Sequence, residues 1–220
     1  MSIVFPLTLA AFFDRLPVQD VRLPPPVPGR QINNLAGGEI LAAEVSPALW
    51  EGSVTLAPMR AREAEGLVVL LALLEVPGRS FEVRRANQIG PAGDPLGTTL
   101  GASSVTISGF DLEASTLDLA GLPAGYQLAP GDQLSFGYDA SPVRQALHLV
   151  AAPGTANGSG ALSGLVVAPH LRAGLAVAAP VQLVRPFCRA VLVPGSVNYG
   201  VTRNGITSAV QFGFRQSVRF

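Results

Sequence analysis

The closing stretch Ile206-Thr-Ser-Ala-Val-Gln-Phe-Gly-Phe-Arg-Gln-Ser-Val-Arg-Phe220 decides what kind of fold this chain adopts. Val210, Phe212, Phe214, Val218 and Phe220 fall on one face of an extended chain. Gln211, Gly213, Arg215, Ser217 and Arg219 fall on the other, with Gln216 the only interruption. Period two over this length, rich in Val and Phe, marks a strand with one buried face. Just upstream, Cys188 to Val193 and Val197 to Val201 also read as strands.

Working back toward the N-terminus, short β segments alternate with Gly, Pro, Asp and Ser clusters. They are Ser104 to Ser108, Ser115 to Leu119, Gln133 to Tyr138, Ala146 to Ala151, Ala161 to Val167 and Val181 to Val184. That spacing suggests a small barrel or compact sandwich. Gly154 to Gly164, rich in Gly, Ser and Asn, reads as a mobile hairpin loop. The convincing helix is Arg60 to Glu75, where Ala64, Leu67, Val68, Leu71 and Leu74 keep helical spacing and Val76-Pro77-Gly78 ends it. Leu67 to Leu74 is apolar nearly all round. Such a helix should be covered on more than one side, against a sheet or at a subunit interface.

Before the helix, Val18 to Leu23 is a β-prone run stopped by Pro24-Pro25-Pro26, and a loop is expected from there to Gly37-Gly38. Glu39 to Val45 and Leu49 to Ala57 read as strands, with Leu49, Val54, Leu56 and Trp50 available for a core, and Ser80 to Arg85 is a further strand. The fold class that follows is mainly β: a β-sandwich with one packed helix, discontinuous in sequence. It is built from residues 1–85 and 187–220, and residues 86–186 form an inserted β-barrel or β-sandwich domain.

Composition agrees with this plan. The 220 residues include 24 glycines and 19 prolines, so turns are frequent, and 48% hydrophobic content at zero net charge is not the signature of disorder. The single cysteine, Cys188, excludes an intrachain disulfide. Ile3 to Phe13 is apolar but lacks a preceding basic residue and runs through Pro6 into Asp14, so it is not read as a signal peptide. No stretch reaches the length of a spanning helix, and no membrane insertion is expected.

Neutrality hides segregation. Residues 1–139 hold all 15 acids against 8 arginines, whereas residues 140–220 hold 7 arginines and no acid, giving −7 and +7. Charge sorted in this way either serves association between copies or marks halves that neutralise each other inside one fold. A nucleic-acid grip fits poorly, because the arginines are scattered singly apart from Arg84-Arg85.

Chemistry is sparse. His148 sits in an apolar strand pattern and His170 in Pro169-His-Leu-Arg172, and neither has neighbours at metal-ligand spacing. Cys188 reads as a small buried apolar residue rather than a nucleophile. Asp111 with Glu113, and Asp132 with Asp139, are acid pairs without a ligand-dense loop, so solvated turn acids are the default reading. No nucleophile elbow, phosphate loop or dinucleotide fingerprint is present, and no enzyme, metal or cofactor is expected.

One resemblance agrees with the missing chemistry. Phe12-Phe-Asp-Arg-Leu-Pro-Val18, Gly37-Gly-Glu39, Leu49-Trp-Glu-Gly-Ser-Val-Thr-Leu56, Gly78-Arg-Ser-Phe81, Asp94-Pro-Leu-Gly97, Leu128-Ala-Pro-Gly-Asp-Gln-Leu134 and Pro169-His-Leu-Arg172 occur in this order. Together they resemble the distal tail proteins of long-tailed bacteriophages and prophages. The resemblance implies a hexameric ring at the distal end of the virion tail, joining the tail tube protein to hub or baseplate proteins. DNA would pass through its lumen without specific binding, and no catalytic residue carries over.

Charge segregation adds a register hypothesis: acids Asp111, Glu113 and Asp118 of one copy facing Arg144, Arg172, Arg185 and Arg189 of the next. The alternatives are another tail tube or baseplate subunit, or a carbohydrate-binding tail module. The last would need an aromatic platform, for which the middle of the chain offers Phe110, Tyr126, Phe136 and Tyr138.

Overall fold

The computed structural model describes residues 3–34, 40–86 and 88–219. The chain is mainly β, with one α-helix among the described residues and sheets that curl into half-barrels.

Ile206–Gln216 is the spine of a seven-stranded antiparallel sheet. Along one edge, Gln211 to Arg215 pair with Glu51–Leu56, and Ile206 and Thr207 pair with Met59–Arg60. Along the other, Ile206 to Gln211 pair with Asn198–Arg203, and Phe214 to Gln216 with Cys188–Leu192. Val18–Arg22 borders Glu51–Leu56, and Phe81–Val83 borders Cys188–Leu192. Between Leu192 and Asn198 the ladder is broken by a turn. Ser196 fills the gap: its Oγ accepts from the Gly213 N–H at 3.0 Å and donates to the Val193 carbonyl at 2.6 Å. A side chain thus stands in for missing backbone partners.

Alternation works as expected through Val210, Phe212 and Phe214, which are buried. It then departs from the sequence reading. The strand ends at Gln216, whose side chain is itself buried on the core side, Val218 lies beyond the strand, and Phe220 is outside the described residues. Phe12, Phe81, Phe212 and Phe214 meet edge-on or tilted, with ring centroids 5.2–6.4 Å apart. These geometries suit the aromatic quadrupole.

The helix Ala61–Leu74 buries Ala64, Leu71 and Leu74 against this core. Arg79 closes its C-terminal end by donating to the Leu73 carbonyl at 3.0 Å. Cover on more than one side was expected, against a sheet or at a subunit interface; the described residues cover one side. Val69, on the outward face, is 60% exposed, and Ala72 and Val76 beside it are exposed too.

A six-stranded sheet is built between residues 106 and 182, in the order Val181–Gln182, Gln133–Tyr138, Arg144–Val150, Leu162–Ala168, Thr116–Ala120, Thr106–Asp111. Ile107, Leu117, Leu119, Leu134, Phe136 and Leu162 centre its core. In Gln133–Tyr138 the residues of both faces are largely buried. Leu134 and Phe136 enter the sheet's own core. Ser135, on the other face, pairs with Leu147, which belongs to the core of the seven-stranded sheet. The two sheets therefore share a packed boundary.

Two segments read as loops are paired strands. Gly29–Asn34 forms a ribbon with Ile40–Ser46, Arg30 lying opposite Glu44. A run with Gly, Arg, Gln and Asn carries little β propensity, which is why it reads as loop. Gly154–Thr155 pairs with Gln127–Leu128. The next turn is closed by Asn157 Oδ1, which accepts from the Ser159 N–H and hydroxyl and from the Ala161 N–H.

Candidate functional site

The boundary between the two sheets is where polar chemistry concentrates. Arg144–Val150 pairs with Gln133–Tyr138 along its whole length, but along its other edge only Leu149 and Val150 meet Leu162–Ala168. Three carbonyls near this half-free strand are taken by side chains on, or immediately beside, strands of the seven-stranded sheet. Arg189 Nη1 donates to Val143 O at 2.9 Å, Gln216 Nε2 to Gln145 O at 3.2 Å and Trp50 Nε1 to Leu147 O at 2.7 Å. Acceptors at alternate residues, each met by a side-chain donor, imitate the partner strand that is missing. Trp50 and Gln216 are also locked to each other, since the Trp50 N–H donates to Gln216 Oε1 at 3.3 Å and the Gln216 N–H to Trp50 O at 2.7 Å. Reading Trp50 as a core anchor captured half of its role. Gln216, the one polar residue on an apolar face, was the available signal for the other half.

The four arginines expected at an interface between copies each have a partner within the chain. Arg144 pairs with Asp139 at 2.6 Å. Arg172 donates to Ala48 O at 2.9 Å, and Arg189 takes its place in the clasp above. Arg185 reaches Asp14 at 3.4 Å, the same carboxylate that Arg84 grips through two nitrogens at 2.8 and 3.0 Å. Asp14 thereby ties together the two chain crossings between the sheets. Of the acids, Asp118 is committed to the Gly164 N–H at 2.7 Å. Asp111 and Glu113 stand exposed in a turn, with Asp111 Oδ1 accepting from the Glu113 and Ala114 N–H groups. Neutralisation inside one fold describes Arg144 and Arg185, which meet carboxylates, whereas Arg172 and Arg189 meet backbone carbonyls.

Candidate catalytic groups are sequestered. Cys188 is fully buried, and burial pushes its thiol up to about 12, so it is protonated at neutral pH. His148 is buried, stacked on Phe136 at 5.2 Å, with Nδ1 donating to Pro169 O at 2.9 Å. Burial, reinforced by the charge of Arg172, pushes it down to about 4. Asp132 accepts from the Ala92 and Ala129 N–H groups, both at 2.7 Å. One pair escaped the sequence reading: Ser115 Oγ is hydrogen-bonded to His170 Nδ1 across 55 positions. Ser115 is buried and its oxygen also accepts from the Leu171 N–H at 3.4 Å, which makes this a pin between two loops. Among the described residues no cluster of three or more His, Cys, Asp or Glu has metal-binding geometry, and no helix is long and apolar enough to cross a membrane. Tyr126, Phe136 and Tyr138 are buried and Phe110 is half-buried, so these four do not form an exposed platform.

No protein-family model matches this chain, and no curated protein matches it significantly.

The surfaces left over are the informative ones. In the ribbon formed by Gly29–Asn34 and Ile40–Ser46, Ile32 is 60% and Val45 63% exposed, and neither strand pairs with either large sheet. Beneath it lies a cleft of about 540 Å³ walled by Pro26, Arg30 and Glu44 on one side and by Val166, His170 and Arg172 on the other. A second, open groove of about 790 Å³ follows the end of the edge strand Val18–Arg22, between Arg22, Pro24, Pro25, Ser53 and Arg85.

Proposed function

We propose that this chain is a non-enzymatic structural subunit of a phage tail tip. It closes with further copies, six by the resemblance, into a ring that joins the tail tube to the baseplate and surrounds the DNA channel. The observation that carries this reading is the free ribbon. Two strands alone are marginally stable in water, and Ile32 and Val45 gain nothing while exposed. A second copy supplies the missing cover, as it does for the outward helix positions Val69, Ala72 and Val76. Ribbon and helix are different patches, and contacts between different patches of successive copies close into a ring when the rotation between copies closes. The clasp of Trp50, Gln216 and Arg189 serves the same end by holding the six-stranded sheet at a fixed angle to the ring-forming sheet. Imaging of the purified protein by negative stain, with native mass measurement, tests the reading. Rings with a central hole wide enough for duplex DNA are expected; a monomer at high protein concentration overturns it.

A further inference from the structure

Resting on that ring reading, we infer that the acidic turn at Asp111–Glu113 of one copy docks into the groove between Arg22 and Arg85 of another, so that these charges set the register of assembly. Arg84, Arg144, Arg172, Arg185, Arg189 and Arg215 each have a carboxylate or carbonyl partner within the chain. Arg22 and Arg85 line one groove, and neither has a carboxylate within 4 Å among the described residues; Arg85 Nη1 donates to the neutral Gln88 Oε1 at 3.3 Å, which leaves its charge unpaired. The acid that shares the groove, Glu51, is already faced by Arg215 at 3.8 Å. Two positive charges without a carboxylate partner therefore flank an apolar wall of Pro24 and Pro25.

The turn has the complementary pattern. Asp111 and Glu113 have no cationic partner within 4 Å among the described residues, and Leu112 between them is 38% exposed. Because Asp111 Oδ1 is used inside the turn, its second oxygen and the whole Glu113 carboxylate remain for an outside cation. An acid-apolar-acid tip against a groove that reads cation-apolar-cation matches in both sign and polarity. The occupant we assign is a second copy of this chain, because the complementary charges are carried on every copy.

The test is a charge swap read by native mass and sedimentation at low and high salt. R22E/R85E reverses the groove. D111N/E113R reverses the turn while keeping an acceptor at position 111 for the Glu113 and Ala114 N–H groups. Each pair alone is expected to shift wild-type rings to monomers. All four changes in one chain are expected to restore rings at low salt, less well at high salt, where exposed charge pairs are screened. Unchanged rings in either pair alone overturn the inference and leave the ring reading standing. Loss of rings in both pairs without rescue in the fourfold variant also overturns it. Monomeric wild-type protein removes the ring reading itself.

Discussion

Two edges in this molecule face the same physical problem and meet it differently. The half-free edge of Arg144–Val150 is covered inside the chain, where Arg189, Gln216 and Trp50 reach three carbonyls that no strand pairs. The ribbon of Gly29–Asn34 and Ile40–Ser46 has unpaired edges as well, and neither large sheet extends it. An unpaired edge in water invites pairing with another chain, which proteins usually block with charge, proline or cover. Here one edge is blocked with care and the other left open. On the ring reading proposed above, the difference separates what the chain needs for its own fold from what it holds out to further copies.

The comparison breaks most completely at Trp50. Replacing it with alanine removes a fully buried indole and strips Leu147 O of its donor, so Trp50→Ala should lose about 3–5 kcal/mol. Trp50→Phe keeps most of the volume and loses the donor, which should cost about 1–3 kcal/mol. Urea titration followed by circular dichroism separates the two, since both variants lose the only tryptophan. If Trp50→Phe matches wild type, the clasp is packing alone and the covered edge owes nothing to hydrogen bonding.

Acid should loosen the same boundary by a smaller amount. His148 is held neutral in the fold, at about 4 against an ordinary value of 6.5. Its depressed value means that the unfolded chain binds the proton more tightly. The stability it contributes is therefore complete above about pH 6.5 and declines as pH falls toward 4. Near pH 5 the loss should be roughly 2 kcal/mol, from about 1.4 kcal/mol per pH unit. Asp94 is held below its ordinary value by the Leu100, Thr99 and Thr98 hydrogen bonds that outweigh its desolvation, and it adds loss only at lower pH. Melting curves of wild type and His148→Gln between pH 7 and 5 isolate the histidine. Parallel slopes in the two proteins would show that another group carries the acid response.

How much of this was readable beforehand depends on which residues carried the signal. The alternation of Val210, Phe212 and Phe214 and the helical spacing of Ala64, Leu71 and Leu74 are local patterns, and both located buried faces correctly. The ribbon was not legible, because Gly29 to Asn34 forms a strand through pairing rather than through propensity. The clasp was half legible. Trp50 announced burial, but a carbonyl 97 positions away could not be read from spacing. The internal use of Arg172, Arg185 and Arg189 was hidden for the same reason: Asp14 lies 171 positions from Arg185, and counts of charge along a chain do not say which charges meet.

The smallest expected effect on the fold is also the sharpest test of the comparison. Ile32 and Val45 are mostly exposed, so Ile32→Glu and Val45→Lys give up little buried area and should each change the stability of the isolated chain by no more than about 0.5 kcal/mol. If the ribbon exists to be covered by another copy, each substitution places a charge where apolar contact forms on assembly. Particle mass should then fall to that of a monomer while the melting temperature stays put. Trp50→Phe should do the reverse, lowering the melting temperature while any assembled chains keep their copy number. A ribbon variant that melts early and still assembles would mean that the ribbon belongs to the fold, and the distinction between the covered edge and the open one would fail.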